Sequence, residues 1–344
     1  MQRTPGHAAV QWGALKAAPR AAPTRRAPVL PTVSPGFAEA APRPSASPRT
    51  MPGRMHPISY LQALILGLLQ GASELFPVSS LGHSVVLPRL LGWDIHQNDD
   101  YFLLFLVATH LATALVLLWF FRDDWARIVR GVLRSLRERE IRRGDTDARL
   151  GWLLVAGTIP AGMLGLLLEH PLRTLFASPQ TAAIFIALNG VMLFGAEALR
   201  RRAAGPDPVL PDPDSRIVAR MSWRHAVEVG AAQALALIPG LSRSGATMGG
   251  GLLVGLSNED AARFAFLLAT PIIGAAALLK LPDLFGPTGD GVRGPALVGA
   301  LAAAVTAYVS VRFLMRYLHT NRLTPFAWYC LIAGTLAAIA IALT

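Results

Sequence analysis

Charge is scarce in this chain. Only 15% of its 344 residues are Asp, Glu, Lys or Arg, while 53% are hydrophobic. A soluble domain carries about 25% charged residues, so a water-soluble globule is excluded and a polytopic membrane protein is expected. Cysteine is almost absent. The single Cys330 lies in an apolar run, which rules out an internal disulfide framework and a cysteine-based metal site. Acidic residues are missing from the first 54 positions, where eight Lys/Arg face Glu39 alone and account for +7 of the +11 net charge. That segment also has no continuous apolar stretch, so it is not a secretory signal. Trp12 and Phe37 are the aromatics among its basic residues, too few for a stacking pattern, which argues against nucleic-acid binding. Three readings of 1–54 remain: a disordered basic extension, an Arg-rich organellar transit peptide, or sequence upstream of the working start. Met51 or Met55 is the expected start of the membrane part.

What the chain does have is long apolar runs. They fall at 101–121, 150–168, 181–199, 262–280, 296–318 and 326–343, each near the roughly 20 residues that span a bilayer. Two further apolar stretches, 58–92 and 225–256, are interrupted by Pro, Gly and Ser. Broken backbone survives at membrane depth only where protein or a water-filled cavity shelters it. These two stretches are therefore expected to be re-entrant helix–loop–helix segments. Pro88, Pro160 and Pro271 are expected to kink or end helices. Ser257-Asn-Glu-Asp260 is a helix-opening capping pattern.

Arginine placement sets the expected orientation. The 122–149 link holds nine arginines and the 200–224 link six. Two spans separate these links, so both lie on one face, expected to be cytoplasmic. A +7 tail would then sit on the opposite face, against the rule.

The halves resemble each other. At an offset of 163, Gly67, Gln70, Ser79, Gly82 and Gly92 match Gly230, Gln233, Ser242, Gly245 and Gly255. With small gaps, Asn98-Asp-Asp100 matches Asn258-Glu-Asp260. Each half reads as one re-entrant element plus three spans. Three is odd, so the second half enters the membrane upside down and the two broken segments meet near the midplane. The expected fold is all-α and polytopic, an inverted-topology repeat with about six transmembrane helices and two re-entrant segments. Repeat one covers 55–199 and repeat two 225–344.

The polar motifs carry the chemistry. Pro239-Gly-Leu-Ser-Arg-Ser-Gly245 combines a tightly turning backbone, two hydroxyls and the guanidinium of Arg243. Arg grips phosphate with a planar fork, and a helix N-terminus after the loop adds N–H groups. The plain alternative is an arginine snorkelling to the interface. The first motif, Gln70 to His83, supplies Glu74, which can ligate a divalent cation or move a proton, with Gln70 one turn earlier on the same face. Ser79 and Ser80 follow Pro77, and His83 suits acid/base work. A structural carboxyl and an interfacial histidine are the plain alternatives. His110, in mid-span, either packs, the first reading, or faces the site; Asn189 is read as an interhelical hydrogen bonder, Arg263 as interfacial with orientation of the second loop as the alternative, and Glu169-His170 as a surface pair.

These motifs resemble those of the bacterial undecaprenyl-diphosphate phosphatase family of bacitracin-resistance type. The resemblance covers 55–344 and rests on Gln70, Glu74, Pro77-Val-Ser-Ser-Leu-Gly-His83, on Pro239 to Thr247, and on Ser257 to Phe264. It departs at Gln70, where Glu is frequent, and at Leu81, where Thr is frequent. The resemblance implies hydrolysis of undecaprenyl diphosphate to undecaprenyl phosphate and phosphate at a bacterial inner membrane, with the site open to the exterior. The product is the lipid carrier of peptidoglycan synthesis. It further implies Glu74, His83, Ser80 and Arg243 as catalytic residues. Substrate binding falls to Ser79, Ser242, Arg243, Ser244, Gly245 and Thr247. A divalent cation, Mg²⁺ or Ca²⁺, is assigned to Glu74 and Gln70. The expected partners are a polyprenyl diphosphate lipid and the bilayer, with no nucleic acid and with a homodimer left open. The competing reading is a lipid-phosphate flippase or secondary transporter using the same anion site.

Overall fold

The computed structural model describes residues 58–95, 99–175, 178–203, 210 and 212–344. The basic segment 1–54, both candidate starts, Asn98 and the side chains of Glu169 and His170 lie outside the described residues. Twelve α-helices follow in chain order, and no strand occurs among the described residues. They are α1 (Tyr60–Leu75), α2 (Ser80–Leu90), α3 (Asp100–Phe120), α4 (Arg122–Glu138), α5 (Thr146–Leu175) and α6 (Pro179–Ala203), then α7 (Pro213–Arg220), α8 (Trp223–Ala232), α9 (Arg243–Leu253), α10 (Asn258–Phe285), α11 (Arg293–Leu318) and α12 (Thr324–Leu343).

Helices α3, α5, α6, α10, α11 and α12 are long and apolar enough to cross a membrane. They coincide with the six apolar runs. The remaining core elements come as two broken pairs, α1–α2 and α8–α9. At 1.5 Å per residue, α1 reaches about 24 Å and each of the other three about 17 Å or less, all short of a 30 Å hydrocarbon core. A 3₁₀ turn over Gln233–Leu237 continues α8 toward the second motif. The expected cap is present, with Ser257 Oγ accepting from the Asp260 N–H at 3.0 Å. The prolines do not end their helices: α2 runs through Pro88, α5 through Pro160 and α10 through Pro271. Each proline removes one backbone donor, and packed neighbouring helices in such bundles tolerate that loss.

Matched contacts join the two halves. Gly67 of α1 meets Gly299 of α11 backbone to backbone, and Gly230 of α8 meets Gly157 of α5 in the same way. Gly190 of α6 abuts Ala327 and Leu331 of α12, while Gly334 of α12 abuts Ala183 and Ala187 of α6. Numbers rise along one helix as they fall along the other, so α6 and α12 run antiparallel. A single pseudo-two-fold exchanging α1 with α8, α2 with α9, α5 with α11 and α6 with α12 accounts for every pair. Equivalent helices that run antiparallel make the repeat inverted. Small residues let these backbones approach, the usual means of packing helices where no hydrophobic drive operates.

The arginine-rich links gather at one end. Arg127 of α4 binds Asp214 of α7 at 2.9 Å, and Arg263 of α10 binds the same carboxylate at 2.8 Å. Arg216 of α7 pairs with Asp260 at 2.8 Å. His319, in the α11–α12 link, approaches Glu259 at 2.9 Å. Arg263, its side chain 12% exposed, is thus tied into the ionic network at this end of the bundle. Between α4 and α5, Arg134 forks onto Asp145 at 2.7–2.9 Å. Burial works against the Asp145 charge, but the Ala148 N–H and Arg134 hold its carboxyl below the ordinary value.

Candidate active site

Two loops cross at the centre of the repeat. One links α1 to α2 and the other leads from the 3₁₀ turn to α9. Gly82 and Gly240 touch there, a Cβ on Gly82 falling 2.8 Å from Gly240 Cα. Gly240 has φ +106°, open to glycine but strained for other residues. Ser79 and Ser242, equivalent in the repeat, are the N-caps of α2 and α9, accepting from the N–H of Gly82 at 3.2 Å and of Gly245 at 3.0 Å. Ser79 does so at φ +76°, a sparsely populated conformation for a residue with a Cβ.

The caps place Ser80 and Arg243 at equivalent positions, each the first residue of its helix. Both converge on Glu74, near the end of α1. Ser80 Oγ donates to Glu74 Oε2 at 2.5 Å, and Arg243 Nη2 donates to Oε1 at 2.7 Å. Gln70, one turn earlier on α1, donates to Oε2 at 3.0 Å. The Glu74 side chain is 5% exposed and that of Arg243 is 16% exposed. A buried carboxylate of this kind is tolerable only when paired and hydrogen-bonded, and here Ser80, Gln70 and Arg243 do both. His110 of α3 lies against the same cluster, its Nε2 3.4 Å from Glu74 Oε2 and 3.3 Å from Gln70 Nε2. The sequence ranked packing ahead of a site-facing His110. Only the fold shows that α3 brings it to the carboxylate.

The halves have diverged. Leu237 stands where repeat one has Glu74, and Ser80 stands where repeat two has Arg243. The acid comes from one half and the guanidinium from the other, so the symmetric scaffold builds one composite site. The amino ends of α2 and α9 both point into it, adding partial positive charge.

Other predicted residues are held differently. His83 is one turn beyond Ser80, but its Nδ1 bonds Ser79 O at 2.6 Å and its Nε2 bonds the Tyr329 hydroxyl of α12 at 2.9 Å. The two rings stack with centroids 5.7 Å apart. Its hydrogen bonds therefore run to α12 and the loop backbone rather than to the Glu74 cluster. Ser244 Oγ donates to Phe76 O at 3.1 Å and Thr247 Oγ1 to Arg243 O at 2.8 Å, while Ser242 Oγ shares a proton with Ser244 at 3.0 Å. Of these hydroxyls, Ser244 pins one loop to the other, while Ser242 and Thr247 bond within the second loop and α9. Asn189 of α6 completes the clamp: its Nδ2 donates to Pro77 O at 2.8 Å and its Oδ1 accepts from Ser242 N at 3.0 Å. Asn189 does make the interhelical contact expected of it, Nδ2 to Cys330 Sγ of α12 at 3.3 Å, and in addition it bridges the two motif loops. Tyr329 was missed, and its aromatic surroundings offered no signal for it.

Oxygen donors suited to a hard cation are present. Gln70 Oε1 is buried without a hydrogen-bond partner beside the Glu74 carboxylate. Among the described residues no group of three His, Cys, Asp or Glu forms a metal cluster. A Mg²⁺-type ion held by one or two protein oxygens together with substrate phosphate fits this set.

An inverted helical repeat with a buried acid, a hydroxyl and a guanidinium at its crossing defines a polytopic membrane protein with an anion-handling centre. The chain belongs to the BacA family: the family model described as bacitracin resistance protein BacA matches residues 63–336. It is 46% identical to a protein named undecaprenyl-diphosphatase 2 from Frankia alni, over 84% of this chain and all of that one. It is 50% identical to an undecaprenyl-diphosphatase from Mycolicibacterium paratuberculosis, over 83% of this chain and 98% of the relative. A third, undecaprenyl-diphosphatase 2 from Chromobacterium violaceum, is 44% identical over 81% and 98%.

Proposed function

We propose that the chain is an integral-membrane undecaprenyl-diphosphate phosphatase that releases phosphate and returns undecaprenyl phosphate to cell-wall synthesis. The observation that carries this is the Ser80–Glu74–Arg243 contact, a hydroxyl bonded to a base that is itself held by a phosphate-binding cation. The three relatives named above all bear the diphosphatase name, which favours cleavage over flipping or transport.

Ser80 Oγ attacks the terminal phosphorus as its proton passes to Glu74 Oε2. The bridging P–O bond breaks, undecaprenyl phosphate departs, and water then cleaves the phosphoserine to free phosphate. Arg243 releases Oε1 of Glu74 to the diphosphate and stabilises charge on the equatorial oxygens. His83 serves the leaving oxygen or the substrate rather than Ser80, given its distance in hydrogen-bonding from Glu74. A divalent cation on Glu74 and Gln70 would neutralise part of the diphosphate charge.

Both broken pairs enter the bilayer from opposite faces, as the antiparallel halves suggest. The arginine-rich end is cytoplasmic, which leaves the site opening outward at the inner membrane. Phosphate release from a long-chain prenyl diphosphate by detergent-purified protein tests the reading, run with Mg²⁺ and with chelator. Folded Arg243→Ala and Glu74→Ala proteins should each lose at least about 10²-fold in rate, the size of a lost transition-state donor. Substrate binding by wild-type protein without any release would move a transporter to first place.

A further inference from the structure

We propose that His110 supplies a nitrogen ligand to the cation site of Glu74 and Gln70, so that this chain holds its cation with a mixed nitrogen–oxygen set. The inference rests on the reading of that site as a cation-assisted phosphatase centre.

The His110 ring is oriented as a ligand. Its Nδ1 lies 2.7 Å from Leu106 O. A carbonyl only accepts, so Nδ1 carries a proton and Nε2 is the ring nitrogen turned toward Gln70 and Glu74. Metal-bound histidines are usually fixed in this way by a backbone carbonyl. Nε2 faces Glu74 Oε2 at 3.4 Å.

In the described state the Gln70 amide separates them, its NH₂ reaching Oε2 at 3.0 Å and His110 Nε2 at 3.3 Å. The cost is plain: Gln70 Oε1 is left buried with no partner, on a side chain with 0% exposure. Turning the amide by half a revolution puts Oε1 where Nε2 now sits. That creates a triangle of three lone-pair donors with sides of 3.0, 3.3 and 3.4 Å. Three acceptors so placed repel one another unless a positive charge lies among them, either a proton on Nε2 or a metal ion that displaces it. Metal–ligand bonds of about 2.1 Å give ligand–ligand edges of about 3.0 Å in an octahedron and about 3.4 Å in a tetrahedron. The triangle matches that range. The turn of the amide disturbs neither Ser80 on Oε2 nor Arg243, which holds the opposite oxygen until a diphosphate draws it off.

Two consequences follow from the donor set. An imidazole in place of a second carboxylate favours Mn²⁺ and its heavier neighbours over Mg²⁺ and Ca²⁺. Arg243 already balances the one carboxylate, so the cation binds firmly only when a diphosphate brings negative charge.

The test is pulsed electron paramagnetic resonance of Mn²⁺ added to the purified full chain with methylenediphosphonate. Wild-type protein should show the modulation of a directly bound ¹⁴N, which should change when the histidines are ¹⁵N-labelled. The signal should persist in His83→Gln and vanish in His110→Gln. Mn²⁺ affinity should fall about 10–100-fold in His110→Gln, the range for losing a metal-orienting group, and Mg²⁺ affinity much less. Mn²⁺ bound in a Glu74-dependent way without nitrogen modulation would overturn the role of His110 and leave the cation-assisted phosphatase standing. Phosphate release insensitive to chelator, with no Mn²⁺ bound, would remove the cation from the site altogether. Where His110→Gln fails to fold, His110→Asn takes its place, and a labelled wild type without histidine nitrogen modulation overturns the proposal by itself.

Discussion

Asn189 has more influence on the site than its position in mid-helix suggests. One amide holds Pro77 of the first loop and Ser242 of the second, and it is fully buried. Asn189→Leu leaves a buried carbonyl and a buried N–H without partners, at about 1–3 kcal/mol each. The thermal midpoint in detergent should fall. Phosphate release should fall by more than the lost folded fraction explains, because Ser80 and Arg243 both depend on those loops. A normal rate per folded molecule would show that the loops hold their places without it. Glu74, Ser80 and Arg243 were legible from residue type and spacing within the motifs. His110 and Tyr329 were not, since a lone histidine or tyrosine in an apolar run looks the same whether it packs or reaches a site. Which one reaches is decided by how α3 and α12 rotate against their neighbours.

Helices α2 and α9 act as a matched pair whose amino ends must approach closely. The approach is set by Gly82 and Gly240, where no side chain separates the backbones. Gly82→Ala adds one methyl at that crossing, 2.8 Å from Gly240 Cα. Overpacking of this kind costs about 1–3 kcal/mol. The expected result is a lower thermal midpoint and a strong loss of turnover, since a shift of under 1 Å separates Ser80 from the Arg243 side of the carboxylate. A control at Gly165, where a Cβ meets nothing, should leave both values unchanged. If Gly82→Ala matched the control, close contact between the loops would not be needed for turnover. The six long helices were readable from hydropathy because each must present about 20 apolar residues to lipid. Their prolines do not end them, because an interior proline breaks a helix only where nothing else supports it.

The whole bundle is tied at its arginine-rich end by acids that serve several helices at once. Asp214 of α7 holds Arg127 of α4 and Arg263 of α10, and it is 3% exposed. Asp214→Asn removes one partner from each arginine while both keep Asp124, so the cost should stay below the about 3–5 kcal/mol seen for broken buried pairs. The readout is thermal unfolding in detergent, with phosphate release per folded molecule expected to stay within about twofold. A large loss of turnover at unchanged stability would instead couple this end of the bundle to the distant site. The inverted repeat was visible as five identities at one offset, and the glycine contacts of α1 with α11 and of α8 with α5 give it physical form.

The sequence alone determined the membrane class, the six spans, the inverted halves and the two polar motifs. Each of these follows from local chemistry: apolar length against bilayer thickness, odd numbers of spans, and residue types that bind phosphate. Tertiary structure decided which side chains meet. Glu74 and Arg243 are 169 residues apart, and only the two-fold packing of small-residue helix faces brings them to 2.7 Å. The same packing turned His83 toward Tyr329 and His110 toward Glu74, choices that depend on helix rotation and leave no periodic trace in the chain.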